Sequence, residues 1–436
     1  MGSGRAVCRK SSTILPRGAP TGLALRAYVA ATHALALAAP GLLRRRLARG
    51  KEDPARWREK LGEATAARPE GPLAWLHAVG VGEVLALRGL IAALRAQNPD
   101  LQVLVTSTAR TSAMAFDRNR PAGVIHQFLP VDTPGARARF LDHWRPDLSV
   151  WAEQDLWPGL IVETARRGIP LALVNGRMDA TGLRQRQRAG RIYPDLLARF
   201  GLIAAQDAAS AAAIGQLAGR EIAVTGSLKP AAPPLLADPD ALRQMQAALA
   251  GRHLWLAAAT HAEDEAVALA AHRTLLARDP ATLLILAPRL PTRGADVLAN
   301  AGMPGVLRST AEVPRADTGL LVADTMGEMG LWYRLAPMAL IGGSFGPVQG
   351  HNPWEAVRLG SAVLHGPNTG HFAQDYAALD AAGGAAQVAD APSLLAALLQ
   401  GPGEMPRHAA AEADKATGAV TALAADLLAL MGLHDG

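Results

Sequence analysis

The chain has 436 residues, half of them hydrophobic and 19% charged, a composition that excludes an intrinsically disordered protein and exceeds what one hydrophobic core organises. Its formal charge of +6 suits a polyanionic partner: nucleic acid, anionic lipid or a phosphorylated substrate. A single cysteine, Cys8, excludes an internal disulfide framework and a cysteine-based zinc cluster, and it fits a reducing compartment.

In chain order, the first element is the apolar stretch LALRAYVAATHALALAAPGLL from Leu23 to Leu43, interrupted by Arg26, His33 and Pro40. At about 20 residues it is marginal for crossing a bilayer and equally suited to lying in the interface. Arg5, Arg9, Lys10 and Arg17 precede it, Arg44, Arg45, Arg46 and Arg49 follow, and no small-residue cleavage site stands out. Residues 1–50 therefore predict an uncleaved basic and apolar membrane anchor rather than a removed signal peptide. The structural alternative is a buried helix whose arginines favour the carboxyl end of its dipole.

Beyond Lys51, strand-like runs alternate with helix-period stretches: PLAWLHAV, LQVLVTST, LSVWAE, IPLALVN and GLIAAQ, then, after the proline-rich GSLKPAAPPLLADPD, HLWLAAAT, ATLLILAPR, GLLVADT, MALIGGSF and SAVLHG. Such alternation predicts an α/β protein of two Rossmann-like, doubly wound domains facing one another across a cleft. The boundaries fall at 51–225 for the first domain, 226–240 for the linker and 241–436 for the second, which ends in Ala-rich helices. Open parallel sheets bind ligands at the carboxyl ends of their strands, so the strand-to-helix loops are where chemistry is expected.

Those loops carry acids. Glu83 follows the small-residue turn of HAVGVGE, and Glu153 and Asp155 follow the strand of WAEQDLWP. Thr260-His-Ala-Glu263, Thr325-Met-Gly-Glu328 and Asn352-Pro-Trp-Glu355 each fit a capping box, in which the acid serves backbone amides only. Their surroundings add a second possibility: the glycines of GGSFGPVQG permit close backbone approach, and helix-start amides form an anion site for a phosphate. Asn352 and Glu355 are then placed to accept from ribose hydroxyls, and Arg289 offers a guanidinium to a phosphate or carboxylate. Neither a Walker loop nor a G-x-G-x-x-G fingerprint is present, which weighs against P-loop phosphoryl transfer and hydride transfer.

The ordered set HAVGVGE, WAEQDLWPGLI, VNGRM, GSLK, THAEDE, APRLPTR, DTMGEMGLWY and GGSFGPVQGHNPWEA, from about Trp75 to His371, resembles the 3-deoxy-D-manno-octulosonic acid (Kdo) transferases. The resemblance implies a membrane-associated glycosyltransferase of the two-domain GT-B type that moves Kdo from CMP-Kdo to a lipid A precursor, on the cytoplasmic side of the inner membrane. It implies Glu83 as the general base, Glu153 as a second acid, and Arg289, Met326, Gly327, Asn352 and Glu355 around CMP, with Lys229 of GSLK as a phosphate contact. The structural alternative for Glu83 is a helix N-terminal charge worth about 0.3 to 1 kcal/mol.

The chain departs from the family pattern at Gly80, where serine is usual, at Leu290, where PRHP reads PRLP, at Asp155, a shortened second acid, and at Gln349, where glycine is usual. These keep open a divergent paralogue with another nucleotide sugar or acceptor, and a catalytically silent membrane-bound scaffold. Arg177, Arg184 and Arg188, with Arg186 and Arg191 nearby, are candidates for the acceptor's phosphates or for anionic headgroups; a solvated helix face is the alternative. No aromatic residues interleave those arginines, so nucleic acid is not the expected partner. The histidines show no ligand spacing, and neither a catalytic metal nor a cofactor is expected.

Overall fold

The computed structural model describes residues 21–153 and 155–432, so Cys8, Arg5, Arg9, Lys10 and Arg17 lie outside the described residues. The chain forms two compact units. One comprises the described residues up to Lys229 together with those from Gly418, and the other is Pro230–Thr417. The change of unit at Lys229 falls inside the expected 226–240 linker. The stretch from Gly418 groups with the first unit rather than with the rest of 241–436, and there the amide of Gln97 donates to the carbonyl of Thr421.

The first unit holds β1 (Leu73–His77), β2 (Gln102–Ser107), β3 (Val124–Phe128), β4 (Leu148–Ala152), β5 (Leu171–Gly176), β6 (Leu202–Ala205) and β7 (Ala223–Val224). The second holds β8 (His253–Thr260), β9 (Thr282–Pro288), β10 (Gly305–Leu307), β11 (Leu320–Val322), β12 (Met338–Ile341), β13 (Ala362–His365) and β14 (Ala385–Gln387). Each set makes a seven-stranded sheet, ordered β3-β2-β1-β4-β5-β6-β7 and β10-β11-β9-β8-β12-β13-β14, and every pairing is parallel. Helices cover both faces of such sheets, which is why LAWLH, LSVWA and TLLILAP are buried throughout instead of alternating. The four strands absent from the sequence reading, β3, β7, β10 and β14, lie toward or at sheet edges. Three of them span three residues or fewer, and VIHQF carries two polar side chains.

Strand order reverses between β1 and β4 in one sheet and between β8 and β12 in the other. A doubly wound sheet opens a crevice beyond the carboxyl ends of its strands at such a point. The loops after these four strands carry Glu83, Glu153, His261 and the GGSF turn.

The anchor segment forms the helix Leu23–Ala48. Leu25, Thr32, Ala39 and Leu43 make one buried stripe along it, while Leu23 and Leu37 are 83% and 90% exposed. Polar ties fix its buried side: Tyr28 donates to Asp132 at 3.0 Å, Arg137 to Thr32 Oγ1 at 3.3 Å, and the Gly22 amide to Asp195 at 2.8 Å. This helix and Met405–Gly432 are the two among the described residues long and apolar enough to cross a membrane.

Candidate functional site

In the first unit, β1 ends at His77 and the backbone turns through Val79 and Gly80 into the helix Val81–Gln97, with Glu83 in its first turn. Gly80 caps that helix without a side chain. The Glu83 carboxylate folds back over it so closely that a Cβ at residue 80 would stand 1.9 Å from Oε2. A side chain at residue 80 would therefore shift this carboxylate from its present position.

Across the switch point, β4 delivers Glu153 with φ +63°, a left-handed conformation costly for a residue with a side chain. Its amide donates to the Val174 carbonyl at 3.0 Å, and the Asn175 side-chain amide donates to its Oε1 at 3.3 Å. Burial, and then the charge of Glu83, push the Glu153 carboxyl up to about 7, against the opposing pull of Lys229 and Arg177. Glu83, Glu153, Lys229 and Arg177 thus act on one another within this unit. Arg184 and Arg188 sit instead on the exposed helix Ala180–Arg188, which buries no residue, and the Arg184 guanidinium donates to Thr181 at 3.1 Å.

Asp155 lies two residues beyond Glu153, in the loop after β4. Burial alone would raise its carboxyl, but the His77 ring and the Trp157 indole outweigh that and hold it below its ordinary value. The indole donates to Oδ2 at 2.9 Å, while His77 Nε2 stands 3.8 Å away and has no hydrogen-bond partner among the described residues. The other ring nitrogen of His77, Nδ1, lies 3.1 Å from the Thr106 carbonyl and 3.0 Å from Oγ1 of the same residue.

The second unit treats its acids differently. The cap of the helix Ala262–Arg278 is His261, with Asp264 as the third helical residue, one position beyond the expected Thr260–Glu263 pair. The Asp264 carboxylate accepts the amides of His261 at 2.8 Å, Gly343 at 2.7 Å, and Ser344 and Phe345 at 3.1 Å each. The amides of Gly343, Ser344 and Phe345 are thus spent on an internal carboxylate, while that of Gly342 donates to the Ala258 carbonyl. Gly342 is obligatory there, because a Cβ would come 2.5 Å from the Ala259 carbonyl oxygen. In the other two motifs, Glu328 pairs with Arg308 at 2.8 Å, and Asn352 Oδ1 accepts the Trp354 amide at 3.2 Å.

Around this switch point the His261 and His351 rings stack at 5.2 Å between centroids, with their Nε2 atoms 3.0 Å apart. Burial, then the nearby Arg289, His261 and His371, lower His351 to about 4, so its ring is neutral at pH 7. Arg289 leaves the end of β9 exposed, its amide donating to Thr260 at 2.9 Å, and Asn352 directly follows His351. Glu355 stands near Tyr333, whose hydroxyl is raised by burial first and by that carboxylate second. Met326 is 60% exposed and Gly327 takes φ +89°, both in the loop after β11. Leu290 is 58% exposed, and Gln349 adopts φ +64°, a conformation that suits the family's glycine better. Among the described residues no three metal-ligating side chains cluster.

Sequence reasoning missed His77, Asn175, Asp264 and the histidine pair. Only Asn175 had a local signal, since Asn before Gly in a tight turn favours the left-handed region.

The sequence profile of the family described as 3-Deoxy-D-manno-octulosonic-acid transferase (kdotransferase) matches residues 55–232. A probable mitochondrial 3-deoxy-D-manno-octulosonic acid transferase of Arabidopsis thaliana is 35% identical over 361 residues, 80% of each chain. The 3-deoxy-D-manno-octulosonic acid transferase of Haemophilus influenzae is 34% identical over 322 residues, 71% of this chain and 74% of that one. The UDP-GlcNAc 2-epimerase of Neisseria meningitidis shares the fold, with a TM-score of 0.55 at 14% identity, covering 82% of this chain and 99% of that one.

Proposed function

The chain belongs to the Kdo transferase family and is a glycosyltransferase of GT-B fold, and from that premise we propose that it transfers Kdo from CMP-Kdo to a lipid A precursor with Glu83 as general base. In this reading the acceptor hydroxyl oxygen attacks the anomeric carbon, its proton passes to Glu83, and the bond to the CMP phosphate breaks with the electron pair leaving on the phosphate. The observation that carries it is the pairing of Glu83 with Glu153 at the switch point, where Glu153 titrates near 7. Ionisation of Glu153 sets a second negative charge beside Glu83, which favours the arrival of the acceptor's proton there, so turnover rises through about pH 7. Lys229 and Arg177 are assigned to the negative charge of the reacting groups. Arg289, Asn352, Glu355, Met326 and Gly327 are assigned to CMP.

A lipid acceptor is supported by a cavity of about 380 Å³ between the helix Leu23–Ala48 and the body of its unit. Leu35, Leu42, Leu43, Val131 and Trp157 line it, and the Trp157 indole also donates to Asp155, so apolar lining adjoins that carboxylate. The exposed leucines of that helix, with Arg44, Arg45 and Arg49, suit an anionic membrane surface, and the exposed Arg184 and Arg188 suit acceptor phosphates. We place the protein on the cytoplasmic side of the inner membrane.

The test is CMP release by detergent-purified protein given fresh CMP-Kdo, with and without a tetra-acylated lipid A precursor. Acceptor-dependent release is expected, falling about 10²- to 10⁴-fold in Glu83→Gln while CMP binding persists. Substantial turnover by Glu83→Gln would remove Glu83 from the mechanism, and release indifferent to the acceptor would remove the acceptor assignment.

A further inference from the structure

The strand ends of β4 and β5 each place a residue other than glycine in the left-handed region, Glu153 at φ +63° and Asn175 at φ +55°. These strands are paired neighbours, so the two side chains emerge beside each other at the switch point. Such a backbone persists only where surrounding contacts hold it, and Asn175 is 1% exposed with all its polar groups engaged. Its backbone carbonyl accepts from the Gln206 side chain at 3.2 Å, its Oδ1 accepts the Leu228 amide at 3.1 Å, and its Nδ2 donates to Glu153 Oε1 at 3.3 Å.

The orientation of the Asn175 amide follows from chemistry. The Leu228 backbone N–H can only donate, so the oxygen of the Asn175 amide must face it and the NH2 must face Glu153. That NH2 can only donate in turn, so Glu153 Oε1 must be an acceptor whether the carboxyl is ionised or neutral. The carbonyl oxygen of a neutral acid is a better acceptor than its hydroxyl, so the NH2 favours the proton on Oε2.

We propose that Asn175 is a positioning residue for the transfer reaction, which clamps Glu153 Oε1 so that proton gain and loss are directed to Oε2, and which ties the GSLK loop to the same carboxylate. The clamp has two ends. Through Leu228 it fixes the backbone just before Lys229, and through Glu153 it fixes the carboxyl that Lys229 acts upon. The groups facing Glu153 are Glu83 from the helix Val81–Gln97, Lys229 from the loop after β7, and Arg177 and Asn175 from the end of β5. Asn175 is the one neutral donor in that set. Its N–H donates more strongly to the ionised carboxyl than to the neutral acid, so its loss disfavours ionisation.

This inference rests on the role given above to Glu153, and the experiment separates the two. The pH dependence of kcat for CMP release is measured for the parent protein, Glu153→Gln, Asn175→Asp and Asn175→Gly. Asp tolerates the left-handed backbone and keeps an acceptor for Leu228, and Gly adopts that backbone freely, so neither variant strains the backbone at residue 175. Asn175→Asp puts an acid where the donor was, and its acidic limb is expected to move up by about one pH unit or more. Asn175→Gly loses the donor without adding charge, and a smaller upward move is expected. KM for CMP-Kdo should change little in either variant. If the limb near pH 7 survives in Glu153→Gln, the role of Glu153 itself fails. If Glu153→Gln abolishes that limb while neither Asn175 variant moves it, Asn175 only braces the backbone and the inference is overturned.

Discussion

Each unit carries a carboxylate at the switch point of a seven-stranded parallel sheet, and the two are treated in opposite ways. Asp264 is fully buried and collects four backbone amides, so its lone pairs are spent on joining the loop after β12 to the helix after β8. Glu153 receives one side-chain amide, sits beside another acid, and is pushed up to about 7. A carboxylate whose acceptor capacity is filled by its own chain is structural. One left short of donors beside a like charge retains a proton it can exchange near neutral pH.

The largest effect that tests this contrast is expected from Asp264→Ala. It strands buried amides at about 1 to 3 kcal/mol each before relaxation, so a loss of about 4 kcal/mol is predicted in urea unfolding. A loss under about 1 kcal/mol would show that the loop holds without the carboxylate, and the contrast would collapse.

Glu153→Gln should do the reverse at high pH. The folded-state value near 7 lies above the ordinary 4.5, so between those values the folded protein binds the extra proton and stability falls as pH rises. Glutamine carries no such cost. The variant is predicted to be more stable than the parent at pH 8 by about 3 kcal/mol, with the gap closing as pH falls to about 4.5, although its turnover is reduced. Equal thermal unfolding of parent and variant across that range would mean that Glu153 is not under strain.

The smallest effect sharpens the contrast within the second unit. Gln349 holds φ +64° where glycine is free to sit, so Gln349→Gly should gain up to about 1 kcal/mol in the same unfolding experiment, with CMP binding little changed. A loss of stability would mean that the glutamine side chain, which packs against Gly370, contributes more than its backbone costs.

Hydrophobic runs of consecutive apolar residues separated by helix-period stretches determined the two-unit α/β architecture. Covering both faces of a parallel sheet demands that pattern and few other folds do. The acids Glu83 and Glu153 were legible too, because each follows an apolar strand in a loop where such sheets bind ligands. The helix Leu23–Ala48 was legible by length and composition, but its buried stripe at Leu25, Thr32, Ala39 and Leu43 was not, since the elements it packs against are distant in sequence. Strand order decided that Glu83 and Glu153 meet, and long-range burial decided which of them titrates near neutrality. The same tertiary packing spent Asp264 on amides some 80 residues away, partners that no local spacing in the sequence announces. Local spacing reports what a residue can do, whereas solvation and long-range partners decide which of those capacities is used.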